Sequence, residues 1–139
     1  PTTMPRPAYK HMRPFEIALW ERFQLRFGPP EGQIEYDVKV GTKPPVPEVP
    51  GLPAMKRQAE LFQKRIDVVQ QLSNAIVLWE IKERLVPTVF GQLEVYEALY
   101  RRDFKPTLPI RKIALVEMGD PDLERLAEQR GITVIILPA

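Results

Sequence analysis

A mixed α/β fold, with a central sheet covered by helices on both faces, is what this 139-residue sequence predicts. Three observations carry it. Residues 76–81 and 132–137 are apolar at nearly every position, as strands covered on both faces are. Runs with helical spacing, at 15–27 and again after Pro87, are interleaved with these strands. The last third reads strand, helix, strand, an order that pairs its strands parallel. Ser73-Asn74 instead marks a tight reversal between two strands, which pairs them antiparallel.

Taken in order, residues 1–14 hold four prolines with Arg6, Lys10, His11 and Arg13 and show no apolar period, so they predict an extended arm. A helix is expected over 15–27: Pro14 starts it, Gly28-Pro29-Pro30 stops it, and Leu19, Trp20, Phe23 and Phe27 form its apolar stripe. Residues 33–40 alternate strictly, with Ile34, Tyr36, Val38 and Val40 on one side. Glu35 and Asp37 then fall on a solvated face of an outer strand. Residues 42–53 are too rich in proline for strand or helix and read as a semi-rigid spacer. Met55, Ala59 and Phe62 predict a short helix with a basic flank, Lys56 and Arg57 on one end and Lys64 and Arg65 on the other.

A strand through 66–69, the Ser73-Asn74 reversal and a strand through 76–82 follow. Phe90, Leu93, Tyr96, Leu99 and Tyr100 predict a helix that brings Gln92 and Tyr96 to one face. Residues 110–118 predict a strand. Asp120-Pro121 opens a helix that Gly131 closes, and 132–137 predict a fully buried strand. The domain therefore spans 15–139, behind an arm at 1–14 and with the proline-rich insertion at 42–53.

Composition excludes several chemistries. The chain has no cysteine and one histidine, His11, so disulfides, thiolate sites, multi-histidine zinc sites and a Ser-His-Asp triad all fall away. No apolar run reaches the roughly 20 residues that span a bilayer, and nothing reads as a signal peptide. A cytoplasmic protein, or one packaged from cytoplasm into a virion, is expected. The net charge of +2 permits an anionic partner without requiring one.

Charge appears where a core wants none. Asp67 lies among Ile66, Val68 and Val69, and Glu80 interrupts Ile76, Val77, Leu78, Trp79 and Ile81. A hairpin places Asp67 and Glu80 on adjacent strands, and Glu80 and Lys82, two apart, point to one face. Unpaired buried carboxylates are costly, so two beside one lysine ask for a cation. Carboxylate oxygens suit Mg²⁺ or Mn²⁺. The plainer reading is an edge strand ending in solvent, with Asp67 and Lys82 as a salt bridge.

Asp67 on one strand, Glu80-Ile81-Lys82 on the next, and Gln92 with Tyr96 on the following helix resemble the PD-(D/E)XK nuclease superfamily. The resemblance covers residues 15–137. It implies a three-layer αβα sandwich with a mixed central sheet, a restriction-endonuclease-like αβββαβ core extended by a C-terminal βαβ unit. It also implies a divalent-metal-dependent nuclease hydrolysing DNA, in which Asp67 and Glu80 bind the metal, Lys82 assists the attacking water, Gln92 supports the site and Glu16 joins from the first helix. Ile66 stands where the family pattern has proline.

Such a core also serves without catalysis. The proline-rich segments and near-neutral charge favour a structural or assembly component of a phage particle or similar complex. In that reading the arm contacts other chains and the domain works as an oligomer. A working nuclease instead requires a basic rim, drawn from residues such as Lys82, Arg84, Arg101, Arg102 and Lys112.

Overall fold

The computed structural model describes Tyr9 and residues 11–42 and 63–139. The expected helix over Met55–Phe62, its Lys56 and Arg57, and all of the 42–53 insertion but Thr42 lie outside the described residues. Eight elements follow in order: α1 (Pro14–Phe27), β1 (Gln33–Val40), β2 (Lys64–Gln71), β3 (Ile76–Arg84), α2 (Pro87–Phe104), β4 (Ile110–Met118), α3 (Pro121–Gln129) and β5 (Ile132–Ile136). Among these, no helix is long and apolar enough to cross a membrane.

The five strands form one sheet whose order is the chain order, β1-β2-β3-β4-β5. β1, β2 and β3 pair antiparallel; β3, β4 and β5 pair parallel. The antiparallel turn is the one the sequence marks, since Leu72 N–H donates to the Ala75 carbonyl at 2.9 Å across Ser73-Asn74. Neither Ser73 nor Asn74 has a positive φ, so the turn is not of the mirror-image kind that Asn-Gly favours. Asp120 caps α3 through Oδ1, which accepts the N–H groups of Asp122 and Leu123 at 3.0 and 3.2 Å.

Helices cover both faces of the sheet. On one side α1 sinks Leu19 and Trp20 against Val77, Trp79, Ile81 and Leu115. On the other, α2 supplies Val89, Phe90 and Leu93 over Ala114 and Val116, joined by Ala127 of α3, and Tyr96 and Tyr100 over Ile76 and Leu78. β3 is the middle strand, with odd residues facing α1 and even residues facing α2. Its near-continuous apolar sequence follows from that double cover.

Three expectations need correction. β5 is an edge strand and not fully buried: Thr133 and Ile136 are exposed, because nothing pairs beyond it among the described residues. The apolar residues of β1 do not share one side. Ile34 and Tyr36 pack with Trp20, whereas Val38 and Val40 pack with Tyr96 and Tyr100, because Asp37 adopts a left-handed backbone (φ 52°) that switches the strand's faces. Lastly, the part of the arm that is described folds on its own domain: Met12 is 5% exposed, and the Tyr9 ring meets Tyr36 edge-on at 4.8 Å. Tyr9 and Met12 supply apolar surface that an arm without periodicity still offers in single residues.

Candidate active site

Strand geometry sends Glu80 and Lys82 to the α2 side of β3, in line with Ile76 and Leu78. Glu80 is therefore the polar member of an apolar row and is only 3% exposed. Its Oε1 lies 3.9 Å from Lys82 Nζ, while its Oε2 is shielded from solvent and accepts no hydrogen bond. A buried anionic oxygen in that state is costly, and either a proton or a cation relieves it.

Asp67 is the next residue in register opposite Glu80, where the β2–β3 ladder stops after Val68 and Trp79. Its Oδ2 accepts the Ile81 N–H at 2.9 Å, taking the place of a backbone carbonyl. The salt bridge of Asp67 to Lys82, the plainer sequence reading, is thus replaced by two other contacts: Asp67 to the Ile81 backbone, and Lys82 to Glu80.

The electrostatics follow from crowding, with Glu80 buried and Asp67 half-buried. Burial pushes the Asp67 carboxyl up to about 7; the Ile81 N–H opposes this, Glu16 adds to it, Lys82 lowers it and Asp37 adds a further push. Glu80 is held well above the ordinary carboxylate range, first by burial and then by Asp67, with Lys82 opposing. Burial also raises the Tyr96 hydroxyl, with Glu80, Asp67 and Glu16 contributing. Asp67, Glu80 and Tyr96 are thus all raised by burial, with Glu16 adding to each and Lys82 opposing at the two carboxylates.

These shifts set a pH dependence. Asp67 takes up its proton more readily folded, at about 7 against an ordinary 3.8, so its contribution to stability is complete below about pH 4 and is lost as pH rises through about 7. At about 1.36 kcal/mol per unit, the loss amounts to at most a few kcal/mol. Urea denaturation in a chelator is expected to give a lower midpoint at about pH 8 than at about pH 5, and Asp67→Asn to flatten the difference. A midpoint that rises over this range would contradict the assigned burial.

The remaining sequence candidates fall differently. Glu16 is close enough to influence both carboxylates, yet its Oε2 accepts the Arg13 N–H at 3.1 Å and so caps α1. Gln92 stands one turn before Tyr96 on α2, and its Oε1 is buried without a hydrogen-bond partner. Asp37, assigned to solvent from the strict alternation of its strand, is half-buried and accepts the His11 N–H at 3.1 Å. Only its left-handed backbone betrays it, and no sequence period carries that signal. Glu35 does lie on the solvated face, hydrogen-bonded to Gln71 Nε2 at 3.2 Å.

Asp67 and Glu80 form a pair and not a larger cluster: among the described residues no three His, Cys, Asp or Glu side chains are grouped to hold a metal. The pair nonetheless fits a Mg²⁺-type ion, which binds through one or two carboxylates and completes its shell with water and phosphate. The free Glu80 Oε2 is the acceptor such an ion requires.

Beyond Lys82 the site opens into a cavity of about 280 Å³, lined by Arg13, Phe15, Glu16, Lys82, Glu83, Arg84 and Val86. Of the basic residues expected at a rim, Lys82 and Arg84 are here. Arg101 and Lys112 instead pair with Glu97, and Arg102 with Asp103.

No protein-family model and no curated protein matches the sequence. Two solved structures are similar in fold. One is the crystal structure of a repair endonuclease from Pyrococcus abyssi, at 16% identity and a TM-score of 0.50, covering 96% of this chain and 50% of that one. The other is the structure of an EndoMS-dsDNA2 complex, at 17% identity and a TM-score of 0.48, covering 96% of this chain and 49% of that one. The chain spans about half the length of each. The architecture is the restriction-endonuclease-like fold that the resemblance implied.

Proposed function

We propose that this chain hydrolyses phosphodiester bonds of DNA with the help of a divalent cation, Mg²⁺ or Mn²⁺. The observation that carries the reading is Glu80, buried at the middle of the sheet with one oxygen unpartnered, beside Asp67 and within 3.9 Å of the Lys82 ammonium. A fold has no use for that arrangement as a stabilising device, because an apolar residue at 80 would be cheaper. The likeness in fold to a repair endonuclease supports the same reading, and the EndoMS structure, a complex with double-stranded DNA, names the kind of partner to test.

Asp67 and Glu80 would hold the ion, which when bound supplies polarisation of the phosphodiester and a more acidic water. Lys82, one-third exposed at the cavity edge, offers its ammonium to the negative charge that builds on the phosphate, and is held in line by Glu80. The Ile81 N–H fixes one Asp67 oxygen and leaves the other available. Tyr96 and the apolar residues of α2 keep water from the inner side of Glu80. Gln92 sits on the same helix as a further acceptor, and Glu16 contributes negative potential from the cap of α1.

A cleavage assay on plasmid and single-stranded DNA, with and without Mg²⁺ or Mn²⁺, tests this. Lys82→Ala is expected to lower the cleavage rate by about 100-fold or more, with circular dichroism confirming that the fold persists, since Lys82 is one-third exposed. No cleavage by the unaltered chain under any divalent cation would support the other reading, a nuclease-like core kept as an assembly component with its arm on neighbouring chains.

A further inference from the structure

The cavity beyond Lys82 has a composition that the hydrolysis of a phosphodiester does not by itself require. Part of its lining is apolar: Phe15, 37% exposed in the first turn of α1, and Val86, 36% exposed at the entry to α2. Other lining residues are cationic. Arg13 and Arg84 both line the cavity, both are exposed, and neither has an ion-pair partner among the described residues, unlike Arg101, Arg102 and Lys112. Lys82 belongs at once to this cavity and to the Glu80 contact, so the two sites share a wall. Glu16 is committed to the Arg13 N–H, which leaves Glu83 as the acidic side chain without such a bond.

We infer that this cavity receives one unpaired nucleotide of a nucleic-acid strand, its base against Phe15 and Val86 and its phosphates between Arg13 and Arg84, next to the bond presented to Lys82. The argument is one of size and surface. A volume of about 280 Å³ is small for a duplex and suits a single flat ring system. A base within a duplex already stacks on its neighbours and has no face to offer, whereas an unpaired base gains a stack on the aromatic ring. Free guanidinium groups hold phosphate by paired hydrogen bonds. The substrate class that follows is nucleic acid with a single-stranded, frayed or displaced nucleotide at the scissile position, in preference to fully paired duplex. This rests on the proposed function for the neighbouring bond cleavage, but not for the binding itself.

The test separates the two. Fluorescence anisotropy with the full chain carrying Glu80→Gln measures affinity for a labelled single-stranded oligonucleotide, a duplex with one displaced nucleotide, and a blunt duplex of the same length. The first two are expected to bind about 10-fold or more tighter than the third, and Phe15→Ala added to this chain to remove that preference, with Phe15→Trp restoring it. Arg84→Ala is expected to weaken all three and to lower the salt dependence by about one phosphate contact. Circular dichroism on each variant confirms folding, which the exposure of Phe15 and Arg84 favours. Equal affinity for single strand and blunt duplex, a preference untouched by Phe15→Ala, or no binding at all would each overturn the inference. Selective binding together with an absence of cleavage by the chain with Glu80 intact would sink the nuclease reading alone and leave this one standing.

Discussion

Glu80→Gln is expected to make the metal-free protein more stable and the cation-loaded protein inactive. The amide keeps the shape of the side chain and removes a charge that has neither solvent nor a second hydrogen-bond partner. Relieving such a group is worth about 1 to 3 kcal/mol, and the gain grows as pH rises, because the carboxyl being replaced is held protonated at lower pH. The same substitution withdraws a proposed ligand, so cleavage should fall by at least about 100-fold. In the unaltered chain a cation at about 100 times its dissociation constant adds about 2.7 kcal/mol of stability. The variant is expected to lose this increment. Thermal midpoints in chelator and in Mn²⁺, beside cleavage rates, read both effects. A variant less stable than its parent in chelator would mean that Glu80 is satisfied in the free protein, and would remove the observation on which the proposed function stands.

Trp20→Ala is expected to have the largest effect on folding. Trp20 is wholly buried. It meets Trp79 edge-on at 5.1 Å and stacks on Phe23 at 5.8 Å, and its Nε1 donates to the Tyr36 hydroxyl at 2.9 Å. Through those contacts it ties α1 to β3 and β1 together. Truncation removes the ring, leaves a cavity and strands the Tyr36 hydroxyl, for a cost of about 3 to 5 kcal/mol. Against a typical total of about 5 to 15 kcal/mol, this removes a large share of the stability. Trp20→Phe keeps most of the packing and loses mainly the hydrogen bond, about 1 kcal/mol. Denaturant midpoints for the two variants should therefore differ by several-fold in their shift. Equal shifts would show that packing of α1 on the sheet is not carried by this ring.

The elements whose bounds are set by residue periodicity and by caps were legible from sequence. Residues 33–40 and 110–118 are strands with the expected bounds, and the helix from Asp120 begins and ends on its cap and its glycine. Glu80 could be read because a single charge among five apolar residues has few innocent explanations. What stayed hidden depends on dihedral angles and on distant neighbours. Asp37 looks like any polar residue of an alternating strand until its backbone turns left-handed and rotates Val38 and Val40 to the other face. The cavity joins Arg13 and Phe15 to Arg84 and Val86, about 70 residues apart, and nothing in either segment announces the other. The burial of β5 was overestimated because an apolar sequence does not say whether its strand has a neighbour on both sides.

The agreement between strand order and chain order bears on how the protein assembles in time. Every strand pairs with a strand next to it in the chain, so none must be threaded between two that have already joined. The contact of shortest loop is the β2–β3 turn at Ser73-Asn74, and a hairpin of that kind closes in roughly 1 to 10 μs. Asp67 and Glu80 both ride on this hairpin. Their approach is therefore set in the fastest local event, while their removal from water waits for α1 and α2 to dock. The penalty of enclosing two carboxylates is therefore expected to fall on the late step, and refolding rates measured with and without Mn²⁺ read where it acts.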